Sequence, residues 1–159
     1  MTTSEEQYIH YAECCDSLSR AWLILQDLGG TTDQRATIYD AAFRFALIEY
    51  AKPYKRSYGT DKRKRDPHKL PQPILPPKDI ELHQQILDLR DQVLAHSDLT
   101  WKEAVLSARR FNGRPHAVIG GNSPLSLPDI DAVIGLIERT LDIMHVEKSK
   151  LLEALAPED

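Results

Sequence analysis

Apolar residues recur along much of this chain at steps of three and four, the spacing that places side chains on one face of a helix. In the first such segment the stripe is Tyr11, Cys15, Leu18, Trp22 and Leu25. In the second it is Ile38, Ala41 or Ala42, Phe45 and Ile48. The pattern predicts four helices. The first runs from Ser4 to Leu28, and the second runs from a cap among Thr31, Thr32 and Asp33 to Lys52-Pro53. The third runs from a cap at Asp79 through His96, and the fourth opens at Ser126, Pro128 and Asp129 and ends near Pro157.

Residues 54–78 break this pattern, because they contain five prolines and show neither helical nor strand periodicity. They predict a long loop.

Residues 101–119 allow two interpretations. Thr100 to Glu103 resembles a helix-capping box, whereas Asn112-Gly113 between two apolar runs is a strong signal for the turn of a β-hairpin. The turn signal favours the hairpin.

A chain of 159 residues is the usual size of one domain. Four amphipathic helices must cover one another's apolar faces. We therefore expect a single, mainly α-helical domain over residues 1–159, an up-and-down four-helix bundle with a β-hairpin inserted before the last helix. The loop 54–78 lies within this domain.

The net charge of −4 conceals a strongly basic segment. Residues 52–69 contain eight Lys or Arg and two Asp, so the rest of the chain is strongly acidic.

Cys14 and Cys15 are adjacent within a predicted helix, where their side chains diverge, so we expect reduced thiols. No apolar run is long enough to cross a bilayer, and the first residues are acidic. These features favour a cytoplasmic protein that does not interact with membranes.

Arg90 is the most informative position in the third helix. Its neighbours three and four residues away are all apolar, namely Ile86, Leu87, Val93 and Leu94. An arginine in that setting needs a distant carboxylate, a second subunit or a bound anion. His96 lies about 9 Å farther along the helix axis, so the two side chains could address one ligand.

Leu89-Arg90-Asp91 followed by Ala95-His96-Ser97-Asp98 resembles a motif of the HEPN superfamily, in its prokaryotic abortive-infection and toxin-like branches. The resemblance extends loosely over most of the chain and includes Glu49 to Pro53. It implies a small helical bundle that forms a homodimer. It also implies a metal-independent ribonuclease of toxin-antitoxin, abortive-infection or phage-defence systems, with single-stranded RNA as substrate and an antitoxin protein as a partner.

The chemistry of the residues agrees with that implication. Histidine can take up or donate a proton near neutral pH, and arginine binds phosphate oxygens with parallel donors. His96 and Arg90 are therefore the candidate catalytic residues, with Asp91 orienting Arg90 or lining the cleft. Glu49 is a candidate supporting residue that could bind Arg90 across helices. In a homodimer two such pairs would surround one phosphate and could divide the acid and base roles.

The alternative is that Arg90 and His96 form an interface or core pair satisfied by Glu49 or Asp98. The protein would then be a non-catalytic dimeric helical module that binds a nucleotide, RNA or a protein partner.

The basic segment adds a candidate RNA-binding surface. Its members are Lys55, Arg56, Lys62, Arg63, Lys64 and Arg65. Tyr54 and Tyr58 beside them could stack on bases. A solvated basic loop without a ligand is the alternative.

The histidines lack metal-ligand spacing and no glycine-rich phosphate loop is present, so the sequence predicts neither a metal nor another cofactor.

Overall fold

The computed structural model describes residues 3–31, 36–55, 70, 75–91, 105–120 and 127–156. This part of the chain is mainly α-helical, with an antiparallel hairpin before the last helix. The elements are α1 Thr3–Gly29, α2 Ala36–Ala51 with a 3-10 turn Lys52–Tyr54 after it, α3 Pro77–Leu89, β1 Val105–Phe111, β2 Arg114–Gly120 and α4 Ile130–Glu153. Among these described helices, none combines the length and apolarity needed to cross a membrane.

Two of the predicted helix ends are confirmed. The first helix ends at Gly29, and the Gly30 amide donates to the Gln26 carbonyl at 3.1 Å. Asp129 caps α4, since its side chain accepts a hydrogen bond of 2.9 Å from the Ala132 amide. The proposed caps of α2 at Thr32 and Asp33 lie outside the described residues.

The predicted cap at Asp79 is wrong. The third helix begins at Pro77, where a proline suits the first turn because no backbone donor is needed there. Asp79 is therefore inside the helix and is buried. Its carboxylate accepts two hydrogen bonds from Arg139 of α4, at 2.7 and 2.8 Å.

The core lies where α1 packs against α2 and α4, while α3 contacts α2 and α4. The predicted stripe of α1 faces this core, as Leu18 and Leu25 are fully buried. Cys14 and Cys15 are buried free thiols in the same core. Each buried leucine of this kind contributes about 1.5–3 kcal/mol to stability.

The predicted stripe of α2 is wrong. Ile38 and Phe45 are 65% and 50% exposed, whereas Phe43, Leu47 and Tyr50 are buried. This helix is apolar on more than one face, so periodicity alone does not determine which face packs.

The hairpin is confirmed in the described residues. Asn112 and Gly113 form its turn with φ of 49° and 77°, the left-handed values that a two-residue turn of this hand requires. Phe111 pairs with Arg114, and the register continues to Val105 opposite Gly120.

Leu70, within the predicted loop 54–78, is joined by a backbone contact to Pro53, the residue just before this loop. The Leu70 amide donates to the Pro53 carbonyl at 2.9 Å, and Leu70 is buried. Most residues between them lie outside the described part of the chain.

Candidate functional site

Arg90 and Asp91 follow the last residue of α3 in a π-helical turn. Such turns widen the backbone and occur often at functional sites. His96, the predicted proton-transfer residue, lies outside the described residues. Of the predicted RNA-binding residues, Lys55 is described, and the others, Arg56, Lys62, Arg63, Lys64 and Arg65, lie outside the described part.

Asp91 connects the cations at this end of α3. Arg90 Nη1 donates to Asp91 Oδ1 at 2.9 Å, and Lys55 Nζ donates to Asp91 Oδ2 at 2.5 Å. Lys55 comes from the turn after α2, 36 residues away in sequence. The three side chains are partly exposed, with Arg90 at 31%, so a ligand in solution can reach them.

The protonation state of Asp91 follows from this contact. Burial acts to raise the pKa of its carboxyl, but the hydrogen bonds and charges of Lys55 and Arg90 outweigh burial and lower the pKa below its ordinary value. Asp91 is therefore ionised at neutral pH. The cluster of one carboxylate and two cations carries a net charge of +1.

Within the described part of the chain, Arg90 retains guanidinium donors that no side chain engages. Among the described residues its only side-chain partner is Asp91, which engages one of the guanidinium nitrogens. A guanidinium has five N–H donors in a fixed plane. The remaining donors suit an oxyanion such as a phosphate.

Glu49 does not contact Arg90. Its carboxylate is 1% exposed and accepts hydrogen bonds from Arg20 of α1, at 3.2 Å, and from Lys52. The predicted pairing of Glu49 with Arg90 is therefore wrong. Glu49 instead ties α1 to the end of α2. Its partner Arg20 belongs to α1, and its other partner, Lys52, lies one turn farther along the chain, just after α2.

A second histidine, missed in the sequence, lies close to this cluster. His83 is two helical turns before Arg90 on α3 and is 2% exposed. Its Nδ1 shares a hydrogen bond of 2.6 Å with the Tyr50 hydroxyl. The ring of Tyr54 contacts His83 edge to face, with centroids 4.5 Å apart. The seven-residue step from His83 to Arg90 was the signal available in the sequence.

Burial, and then the positive charge of Lys55, lower the pKa of His83 below its ordinary value. Burial also raises the pKa of Tyr50 far above its usual range. Both side chains are therefore neutral at pH 7. Tyr54, which contacts His83, is adjacent in sequence to Lys55, so the His83 ring lies on the side of α3 where Lys55 meets Asp91.

A groove of about 490 Å³ lies elsewhere, between the first turns of α3 and α4. Its walls include the Asp79–Arg139 ion pair. Neither Arg90 nor Asp91 lines this groove. The described residues contain no group of three or more His, Cys, Asp or Glu arranged to bind a metal ion.

In comparisons with known proteins, no family model, curated protein or solved structure matches this chain. The HEPN resemblance of the residues around Arg90 therefore stays a prediction.

Proposed function

We propose that this protein is a metal-independent endoribonuclease of the HEPN kind. In this proposal the helices form an up-and-down four-helix bundle that pairs with a second copy, and Arg90 and His96 act on RNA at the shared interface. The observation that carries the proposal is the geometry at the end of α3, where Asp91 holds Arg90 and Lys55, both partly exposed, side by side. Such a cluster favours a phosphate group.

Each residue has a defined role in RNA cleavage. His96 removes the proton of a ribose 2′-hydroxyl, and that oxygen attacks the adjacent phosphorus. Arg90 stabilises the negative charge that develops on the phosphate oxygens. The bond to the 5′-oxygen breaks, and a second proton donor protonates that oxygen. The products are a 2′,3′-cyclic phosphate and a 5′-hydroxyl.

The second copy supplies the missing proton donor. One histidine cannot be base and acid in the same step, but a twofold axis brings a second His96 and a second Arg90 to one phosphate. Dimerisation is then part of catalysis. Asp91 is a positioning residue, because it engages Arg90 rather than the substrate.

The biological role in this proposal is that of a toxin or phage-defence effector acting on cytoplasmic single-stranded RNA. An antitoxin protein that covers Arg90 would neutralise it. Lys55 is the described member of the basic segment that reaches the cluster, so RNA following this segment would enter the site beside Lys55.

The test is cleavage of end-labelled single-stranded RNA by the purified protein in the presence of a chelator. We expect cleavage that leaves cyclic phosphate ends. His96→Ala should reduce the rate by about 10²–10⁴-fold, the usual contribution of a proton-transfer residue. Arg90→Ala should also abolish most activity while circular dichroism shows an unchanged fold.

Two matched variants serve as controls. Arg44 is, like Arg90, a partly exposed arginine paired with a nearby carboxylate, here Asp40 at 2.7 Å. His145 is exposed on α4. Arg44→Ala and His145→Ala should cleave RNA at the wild-type rate.

Two results would contradict the proposal. Equal cleavage by the wild type and by His96→Ala would mean that a contaminant degrades the RNA. Binding of RNA, a nucleotide or a protein without any turnover would instead establish the non-catalytic dimeric module.

A further inference from the structure

The β-hairpin is an unusually basic element in an acidic chain. Residues 105–120 contain three arginines and no Asp or Glu, whereas the whole protein has a net charge of −4. Residues 106–118 are all exposed. The hairpin therefore presents its side chains to solvent instead of using them to fill the core.

The register separates the hairpin side chains into two different faces. Arg109 pairs with His116 and Phe111 with Arg114, and side chains alternate along a strand, so these four share one face. We call Arg109, Phe111, Arg114 and His116 the cationic face. Arg110 lies on the opposite face, which otherwise carries Leu106, Ala108, Pro115 and Ala117.

The charges of the cationic face are not compensated within the described residues. Neither Arg109 nor Arg114 forms an ion pair with a described carboxylate. Phe111 is 67% exposed, and its ring lies edge to face with that of His116, with centroids 6.1 Å apart. Directly opposed cross-strand pairs lie about 5 Å apart, so two cations and a flat apolar ring occupy one small patch.

We propose that the cationic face is a binding site for a single-stranded polynucleotide, separate from the Arg90 cluster. The arginines contribute phosphate contacts, and the exposed ring of Phe111 provides a stacking surface for an unpaired base. Every nucleotide of a single strand carries both a phosphate for the arginines and a flat base for Phe111, so it offers the two contacts within one small patch. Stacking therefore favours the polynucleotide. The site does not depend on RNA cleavage.

The test is binding, measured with the His96→Ala protein so that no strand is cut. A fluorescein-labelled 20-nucleotide RNA and a DNA of the same sequence are titrated by anisotropy over a range of salt concentrations. Binding of at least one strand is required, the arginine variants of the hairpin then assign it to the cationic face, and the comparison of RNA with DNA shows whether the ribose contributes. The absence of binding to both strands would overturn the proposal.

The arginines of the two faces allow a matched comparison. Arg109→Gln together with Arg114→Gln should weaken binding about tenfold or more. The same change should lower the salt dependence, d log K/d log [salt], by about 1.4, because two phosphate contacts are lost at about 0.7 each. Arg110→Gln, on the opposite face, should change the affinity by less than about threefold, since only a nearby charge is removed.

The aromatic ring is tested separately. Phe111→Leu keeps an apolar side chain but removes the stacking surface, so we expect about fivefold weaker binding or more. Leu106→Ala, its control on the opposite face, should bind like the parent. Cross-strand nuclear Overhauser effects between the paired residues Ala108 and Ala117 would establish that the hairpin persists in each variant.

Two outcomes would overturn the proposal even if the parent binds. One is wild-type affinity in the Arg109, Arg114 double variant. The other is an equal loss in Arg110→Gln, which would mean that net charge and not the cationic face determines binding. Cleavage tests of Arg90→Ala and His96→Ala read out a different site, so either proposal can fail without the other.

Discussion

At the scale of single residues, polar groups inside this protein are placed in specific pairs. Tyr50 and His83 are both buried and satisfy each other through one hydrogen bond of 2.6 Å. The Tyr54 hydroxyl, by contrast, has no hydrogen-bond partner among the described residues. An unpaired buried polar group costs about 1–3 kcal/mol of stability. Removing the Tyr50 hydroxyl would leave His83 unpaired, whereas removing the Tyr54 hydroxyl breaks no hydrogen bond between described residues, so Tyr50 is the residue to change.

Tyr50→Phe should lower the free energy of unfolding by about 1–3 kcal/mol. The substitution keeps the ring but leaves His83 Nδ1 buried without its partner. Urea denaturation followed by circular dichroism measures the loss. Tyr39→Phe is the control, because the Tyr39 ring is also packed against a neighbour, Phe43, and should change stability by less than about 0.5 kcal/mol. Equal stabilities of the two variants would contradict this role of the hydroxyl.

The sequence indicated that Arg90 needs a partner, because its helical neighbours are apolar. It did not indicate which partner. Asp91 is adjacent in sequence, and Lys55 reaches it from 36 residues away, a contact that depends on how α2 and α3 pack. The sequence predicts Arg90 as a partner of Glu49, but Lys52 is a cation only three residues farther along the chain and is the one that binds Glu49. Arg20, its other partner, comes from α1.

At the scale of elements, the ends and turns were the most predictable features. Asp129 and Asn112-Gly113 act through local backbone geometry, so their roles can be seen within a few residues. The packed face of α2 could not be predicted in this way. Phe43 and Phe45 are both apolar, and the packing of α2 against other elements, including α1 and α3, determines that Phe43 is the buried one.

Asp129→Ala should destabilise the protein by about 0.5–2 kcal/mol, because α4 loses the side-chain acceptor for the Ala132 amide. Thermal or urea unfolding measures the change. Asp129→Asn should retain most of the stability, since asparagine caps helices equally well. Asp142→Ala, at an exposed position later in α4, controls for the loss of a carboxylate. A loss of equal size in Asp142→Ala would contradict the capping role.

At the scale of the whole molecule, the pH of the solvent affects stability through His83, a core histidine that resists protonation in the folded state. The folded pKa of His83 is lowered, whereas in the unfolded chain it is about 6.5. Between the lowered pKa of the folded state and pH 6.5 the unfolded state therefore binds a proton that the folded state does not bind. Stability then decreases as the pH falls, by up to about 1.4 kcal/mol per pH unit for one proton.

Urea denaturation between pH 7.5 and 5.0 tests this coupling. The unfolding free energy of the wild type should fall more steeply with acid than that of His83→Asn, whose amide lies at the position of Nδ1 and can still pair with Tyr50. NMR titration of the His83 ring in the wild type provides a measurement that needs no variant. Protonation of His83 at or above pH 6.5 in the folded protein would contradict the prediction.

The backbone hydrogen bond from Leu70 to Pro53 has a consequence for how this protein can evolve. It fixes the two ends of the intervening segment side by side, and the entropy of closing such a segment changes only with the logarithm of its length. Each doubling costs about 0.6 kcal/mol. The number of residues between these two anchors can therefore change at little cost in closure entropy while the helices keep their packing.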